Sequence, residues 1–167
     1  MIGSFKTDRL ILDPLHMTDA DFILELLNSA GFIRFIGDRQ VRTLEGAIIY
    51  IEKIMANPDI NYWIVKLKDE GVPVGIVTRI KRVYLDYPDI GFALLPGFNH
   101  KGYAFEAAHV VVESLLSDCR HESILATTAL DNIRSIRLLE KLGLKSEKKI
   151  KVEGEDLMLY RISINDC

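Results

Sequence analysis

The feature that most constrains this chain is a change of period at its middle. Residues 89–95 form a nearly continuous apolar run, the pattern of a strand buried on both faces of a sheet. Pro96 and Gly97 end the run, since proline brings no amide to a ladder and glycine relaxes the backbone. From residue 103 to 118 the apolar residues recur at helical spacing, with Phe105, Ala108, Val112, Leu115 and Cys119 on one stripe. A central strand that passes into a long amphipathic helix needs a sheet on which that helix can lie. The chain therefore reads as α/β.

The flanking segments extend this pattern. Residues 5–12 read as a first strand. Thr18 is placed to cap a helix reaching about Asn28, with Asp19 and Asp21 at its positive end. Gly31 and Gly37 punctuate an irregular or short helical stretch, and Thr43 is placed to cap a second helix over residues 44–56. Residues 61–68, 74–83 and 89–95 are strands joined by turns short enough for hairpins, which predicts an antiparallel meander. After the long helix come a strand at 123–128 and a short helix capped by Asp131 or Asn132 and stopped by Gly143. Strands at 144–152 and 156–164 close the chain. A length of 167 residues suits one domain spanning 1–167.

Bulk properties exclude several classes. The net charge of -3 argues against a dedicated nucleic-acid binder, which is normally basic. Cys119 and Cys167 make neither a disulfide framework nor a zinc set, and His16, His100, His109 and His121 have no ligand spacing, so no metal is expected. Lys6, Asp8 and Arg9 leave no secretory apolar region near the start, and no apolar stretch is long enough to span a bilayer. No membrane partner and a reducing cytoplasm are the resulting expectations. Lys145, Lys148, Lys149 and Lys151 read as a solvated charged face.

The strand–loop–helix unit carries the chemistry. A helix start leaves amides without partners and bears a partial positive charge, so it attracts anions. Here the lead-in Gly97-Phe98-Asn99-His100-Lys101-Gly102 allows close backbone approach and adds the Lys101 charge, which suits a diphosphate. Gly97 and Gly102 have the Walker glycine spacing, but Tyr103 follows instead of Lys-Ser/Thr. Gly-x-Gly-x-x-Gly is also absent, so neither a P-loop nor a dinucleotide fingerprint is present.

Four pieces, in order, resemble the RimJ/RimL-like branch of the GNAT superfamily of N-acetyltransferases. They are Thr7-Asp8-Arg9-Leu10 with Arg34-Phe35-Ile36-Gly37; Ile90-Gly91-Phe92 with Leu94-Leu95-Pro96; Lys101-Gly102-Tyr103-Ala104-Phe105-Glu106-Ala107; and Asn132 with Ser135 and Glu140-Lys141-Leu142-Gly143. The resemblance covers nearly the whole chain. It implies a mixed, mostly antiparallel twisted sheet with a central splayed strand pair, flanked by helices. It also implies acetyl-CoA as co-substrate and direct acetyl transfer to a primary amine, either a protein N-terminus or a small amine. The pantetheine arm would lie between strands 89–95 and 123–128, against backbone groups of Phe92, Ala93 and Leu94. An amide near Phe92 or Ala93 would face the thioester oxygen. Asn99, His100, Lys101, Gly102, Tyr103 and Ala104 would hold the diphosphate and Asn132 the arm.

Ser135 would stand near the leaving sulfur, and Asp89 or Glu106 would be the base. Helix capping is the plainer alternative for Asn132 and Ser135, and helix-dipole complementation for Glu106. The family usually has Arg, Gln or Trp at Asn99 and Gly at His100; were that glycine needed for a positive φ, His100 would carry the strain. A homodimer is compatible with this reading. A non-catalytic acyl-CoA-binding module is the competing class.

Overall fold

The computed structural model describes residues 2–118 and 120–164; the cysteine on the expected helix stripe, Cys119, and the terminal Cys167 lie outside them. Eight strands form one sheet in the order β1-β2-β3-β4-β5-β6-β8-β7. In chain order the elements are β1 (Phe5–Lys6), β2 (Leu10–Pro14), α1 (Ala20–Leu27), α2 (Ala30–Phe35), α3 (Leu44–Met55), β3 (Ile60–Leu67), β4 (Pro73–Ile80) and β5 (Asp89–Leu94). They are followed by α4 (Tyr103–Ser117), β6 (Ser123–Ala129), α5 (Ile133–Lys141), β7 (Lys145–Val152) and β8 (Glu155–Ser163). Every neighbouring pair is antiparallel except β5 and β6. The expected fold class is the one observed, and β3–β4–β5 is the expected meander.

The sheet separates two cores. On one face α4 and α5 cover Leu10, Leu12, Val65, Val77, Ile90, Ile124 and Ala126. On the other, α1 and α3 cover Tyr62, Ile64, Ile76 and Leu95. Side chains alternate along β5 between these faces, which is why its residues read as a continuous apolar run. Among the described residues no helix is long and apolar enough to cross a membrane.

Three local expectations are corrected. The first strand is a hairpin: β1 pairs with β2 through Phe5–Leu12 and Lys6–Ile11, and Thr7 to Leu10 form the turn. The first helical segment begins with a 3₁₀ turn, Met17–Asp19, capped by His16 and not by Thr18. The His16 ring accepts from the Thr18 amide, and Asp19 accepts from the His16 amide. The buried face of α4 is Ala107, Ala108, Val111, Val112 and Leu116, turned from the expected stripe. Small residues let the helix lie close on the sheet, while Phe105 is half-buried at the edge of this core and also meets His109 and Lys141.

Candidate active site

The sheet stops pairing at one place. Between β5 and β6 only Asp89 and Leu125 are in register, and the Leu125 amide donates to the Pro88 carbonyl at 2.9 Å. Beyond this root the two strands diverge. On the far side of β5 the ladder is complete, and its last bond runs from the Leu95 amide to the Val74 carbonyl at 2.8 Å. Alternation along an antiparallel ladder then commits the backbone of Asp89, Gly91 and Ala93 to β4 and turns that of Phe92 and Leu94 toward β6. On β6, the bond from the Ile164 amide to the Glu122 carbonyl sets the opposite phase. Even-numbered residues face β8, and Thr127 and Ala129 face the opening. The Ala129 carbonyl accepts from the Asn132 amide at 3.1 Å, and among the described residues the backbone groups that Phe92, Leu94 and Thr127 turn to the opening meet no protein partner. Of the two amides expected for the thioester oxygen, Ala93's is directed at β4, and Phe92's faces the opening. Sequence alone does not single out Thr127, because which residues of β6 turn their backbone to the opening depends on ladder phase.

Both strands of the fork lead into helix starts. After β5, residues 97–102 form a loop with left-handed backbone at Gly97 (φ 91°), His100 (φ 64°) and Gly102 (φ 81°). His100 thus adopts the conformation for which glycine is the usual residue. Gly102 precedes α4 with no side-chain cap, and the first helical bond is from the Glu106 amide to the Gly102 carbonyl. Among the described residues, no protein acceptor meets the amides of residues 99–105. After β6, Asn132 starts α5, its Oδ1 accepting from the Ser135 amide at 3.3 Å. Half of the Asn132 amide is therefore a helix cap, and its Nδ2 stays without a partner among the described residues. Ser135 sits half-buried one turn into α5.

The two carboxylates expected for proton transfer lie in different places. Asp89 is at the root of the fork, 3% exposed. Arg82 Nε donates to its Oδ2 at 2.6 Å, and its Oδ1 is buried with no partner. Burial pushes the Asp89 carboxyl up, and the neighbouring Arg82 charge only partly opposes this. For Arg82, burial works against its charge, but Asp89 beside it reverses the balance and the net shift is upward.

Glu106 faces the β1–β2 turn. Its Oε1 accepts from Thr7 Oγ1 at 2.6 Å and the Arg9 amide at 2.9 Å, and its Oε2 accepts from Arg9 Nε at 2.7 Å. Burial would raise this carboxyl, but those donors together hold it below the usual carboxylate range. Such a saturated carboxylate is a poor proton acceptor.

A cleft of about 420 Å³ adjoins the start of α5, with Ala30, Gly31, Arg34 and Phe35 of α2 on one wall and 131–134 on the other. The Arg34 and Asp131 side chains approach to 3.8 Å across it. Among the described residues no group of three His, Cys, Asp or Glu side chains is placed to hold a metal ion.

Comparison with known proteins bears on this geometry. The family model described as an acetyltransferase (GNAT) domain matches residues 9–145. The uncharacterized N-acetyltransferase YnaD of Bacillus subtilis (strain 168) is 26% identical over 141 residues, 84% of this chain and 82% of that protein. The crystal structure of a GNAT-family acetyltransferase from Bacillus anthracis superposes with a TM-score of 0.82 at 25% identity, covering 97% of this chain and 99% of that one. Spermidine N-acetyltransferase from Vibrio cholerae, crystallised with CoA and spermine, shares the fold with a TM-score of 0.82 at 17% identity, covering 96% and 98%.

Proposed function

The chain belongs to the GNAT acetyltransferase family, and on that premise we propose that it moves an acetyl group from acetyl-CoA directly to a primary amine within a ternary complex, as one domain in a reducing cytoplasm. The observation that carries this reading is the fork between β5 and β6, whose unpaired backbone runs straight into the uncapped start of α4. An extended arm bearing amides matches the first part, and a diphosphate matches the second. The acceptor is a protein N-terminus, following the RimJ/RimL-like motifs, or a small amine. It enters by the cleft between α2 and the start of α5.

Acetyl-CoA supplies the activated acetyl group; the chain's residues place it and handle protons. Backbone groups of Phe92, Leu94 and Thr127 hold the arm as a third strand would. Amides of residues 99–105, with Lys101, hold the diphosphate. The Phe92 amide donates to the thioester oxygen, a kind of contact typically worth about 3 kcal/mol of barrier. An alkyl amine is mostly protonated at neutral pH, with an ordinary pKa of about 10. Asp89 receives the amine proton at Oδ1, the oxygen that Arg82 leaves without a partner. Its upward shift brings it nearer the pH at which a general base works best. As the new N–C bond forms and the C–S bond breaks, the Ser135 hydroxyl donates a hydrogen bond to the departing thiolate, which solvent then protonates.

The test is thiol release from acetyl-CoA across a panel of N-terminal peptides, polyamines and small amines. Amine-dependent release with a matched N-acetyl product is the expected result. Tight acetyl-CoA binding with no amine-dependent release from any acceptor would place the chain among non-catalytic acyl-CoA-binding modules.

A further inference from the structure

We propose that Arg9, held by Glu106 and Thr7, is a positioning residue that fixes the Lys101–Gly102 peptide and so readies the loop before α4 for a diphosphate. This rests on the reading of that loop as the diphosphate site. Arg9 Nη1 donates to the Lys101 carbonyl at 2.8 Å, while its Nε and its backbone amide both donate to Glu106. Its guanidinium lies 4.6 Å from the centre of the Tyr103 ring, and a Cβ at Gly102 would come within 3.2 Å of Nη2. Arg9 therefore spans the join between loop and helix from outside.

The consequence follows from peptide geometry. A trans peptide points its carbonyl and the next amide in opposite directions. With the Lys101 carbonyl drawn out to Arg9, the Gly102 amide is aimed away from Arg9 and into the loop, beside the uncapped amides of Tyr103, Ala104 and Phe105. Gly102 has φ 81°, and glycine accepts the flipped peptide, with φ on the negative side, about as readily. The flipped form would present a carbonyl oxygen to an anion. Arg9 selects against it.

An isolated pair with Arg9 side chain 47% exposed would do little. Here Glu106 is only 18% exposed and joins Thr7 and both donors of Arg9, so the parts hold one another. Glu106 is by this argument a support for Arg9, in place of the base role expected from sequence.

The experiment compares CoA, by calorimetry, with S-acetylpantetheine, a donor lacking the diphosphate, by its KM with a fixed amine. If Arg9 orients the loop, Arg9→Ala raises the ratio of CoA Kd to S-acetylpantetheine KM by about tenfold, because only the competent loop binds the diphosphate. Arg9→Lys recovers part of it, since one ammonium reaches Lys101 or Glu106 but lacks the fork that joins them. Glu106→Gln shifts the ratio in the same direction, and the double variant adds little to Arg9→Ala, as expected for one unit. A ratio unchanged in both single variants, including by equal weakening toward both ligands, overturns the inference. Should Arg9→Ala not fold, Glu106→Gln and Arg9→Lys carry the same comparison. Failure of the unmodified protein to bind CoA would instead sink the diphosphate reading of the loop, and this inference with it.

Discussion

Removing either member of the Arg82–Asp89 pair should have very different consequences, and the difference separates stability from chemistry. Asp89 is 4% exposed at its side chain, and Arg82 is 34% exposed. At an effective dielectric of about 20, unit charges about 4 Å apart attract by roughly 4 kcal/mol, while desolvating a buried carboxylate costs several kcal/mol. The upward shift of Asp89 says that desolvation prevails. Arg82→Met leaves that carboxylate with neither water nor a cation. The loss is bounded by the cost of protonating it, about 4 kcal/mol at pH 7 from an ordinary value near 3.8 and about 1.4 kcal/mol less for each pH unit below. We expect about 3 kcal/mol at pH 7, shrinking to under about 2 kcal/mol at pH 5.

Asp89→Asn removes the buried charge, and Arg82, a third exposed, keeps its hydration. Its cost should stay within about 1 kcal/mol at pH 7. The sign with pH follows from the direction of the shift. A carboxyl raised in the folded state contributes stability below its unfolded pKa and loses it as pH rises through the folded one. Asp89→Asn should therefore gain on the unmodified protein between pH 4 and 7. Urea denaturation followed by Trp63, the single tryptophan and 3% exposed, measures this across the range. Near-intact stability makes activity interpretable: Asp89→Asn should lower kcat by about a hundredfold and flatten the acid limb of the pH profile. Equal destabilisation by the two variants refutes the electrostatic reasoning, and retention of more than half of kcat removes Asp89 from the mechanism.

Three further outcomes are expected. Ser135→Ala should lower turnover by about tenfold with CoA affinity changed far less, since one hydrogen bond to the thiolate is lost; equal turnover, measured by thiol release, excludes Ser135. His100→Gly should be stability-neutral to within about 1 kcal/mol, the left-handed strain of His being offset by the greater unfolded freedom of Gly. His100→Val should instead cost about 2 kcal/mol and weaken CoA binding, and chemical denaturation with calorimetry checks both variants. Gly75→Ala places a Cβ 2.4 Å from the Ala93 carbonyl oxygen and from Leu94 Cδ2. That contact forces β5 to move beside the fork, at a cost of about 3 kcal/mol and with loss of donor binding. A change under about 0.5 kcal/mol in urea would mean the strands absorb it.

The elements visible in the sequence are those whose cause is local. Pro96-Gly97 stops β5, Thr43 caps α3 by accepting from the Gly46 amide, and Gly143 at φ 92° ends the segment after α5. The hairpin at Thr7–Leu10 was not visible, because its turn lacks Gly, Pro or Asn-Gly and is stapled by Glu106, 97 residues from Arg9. Arg82 gave no signal either; it lies in an irregular stretch and matters only because β5 begins with a buried acid.

The fork itself is the instructive case. A strand that loses its neighbour on one edge keeps the same side-chain pattern, since side chains alternate across the faces while hydrogen bonds run along the edges. The apolar run over residues 89–95 would look identical whether β6 stayed paired with it or diverged. The splay was expected from the family resemblance, and no periodicity could have supplied it. The same separation of faces from edges explains Ala93. Its side chain packs in the α1–α3 core beside the fork, yet its amide is spent on β4, and only the phase set by the Leu95–Val74 bond distinguishes it from Phe92. Residue type can therefore mark which strand borders such a site, while the choice of reacting amide belongs to ladder phase and must be read from the paired backbone.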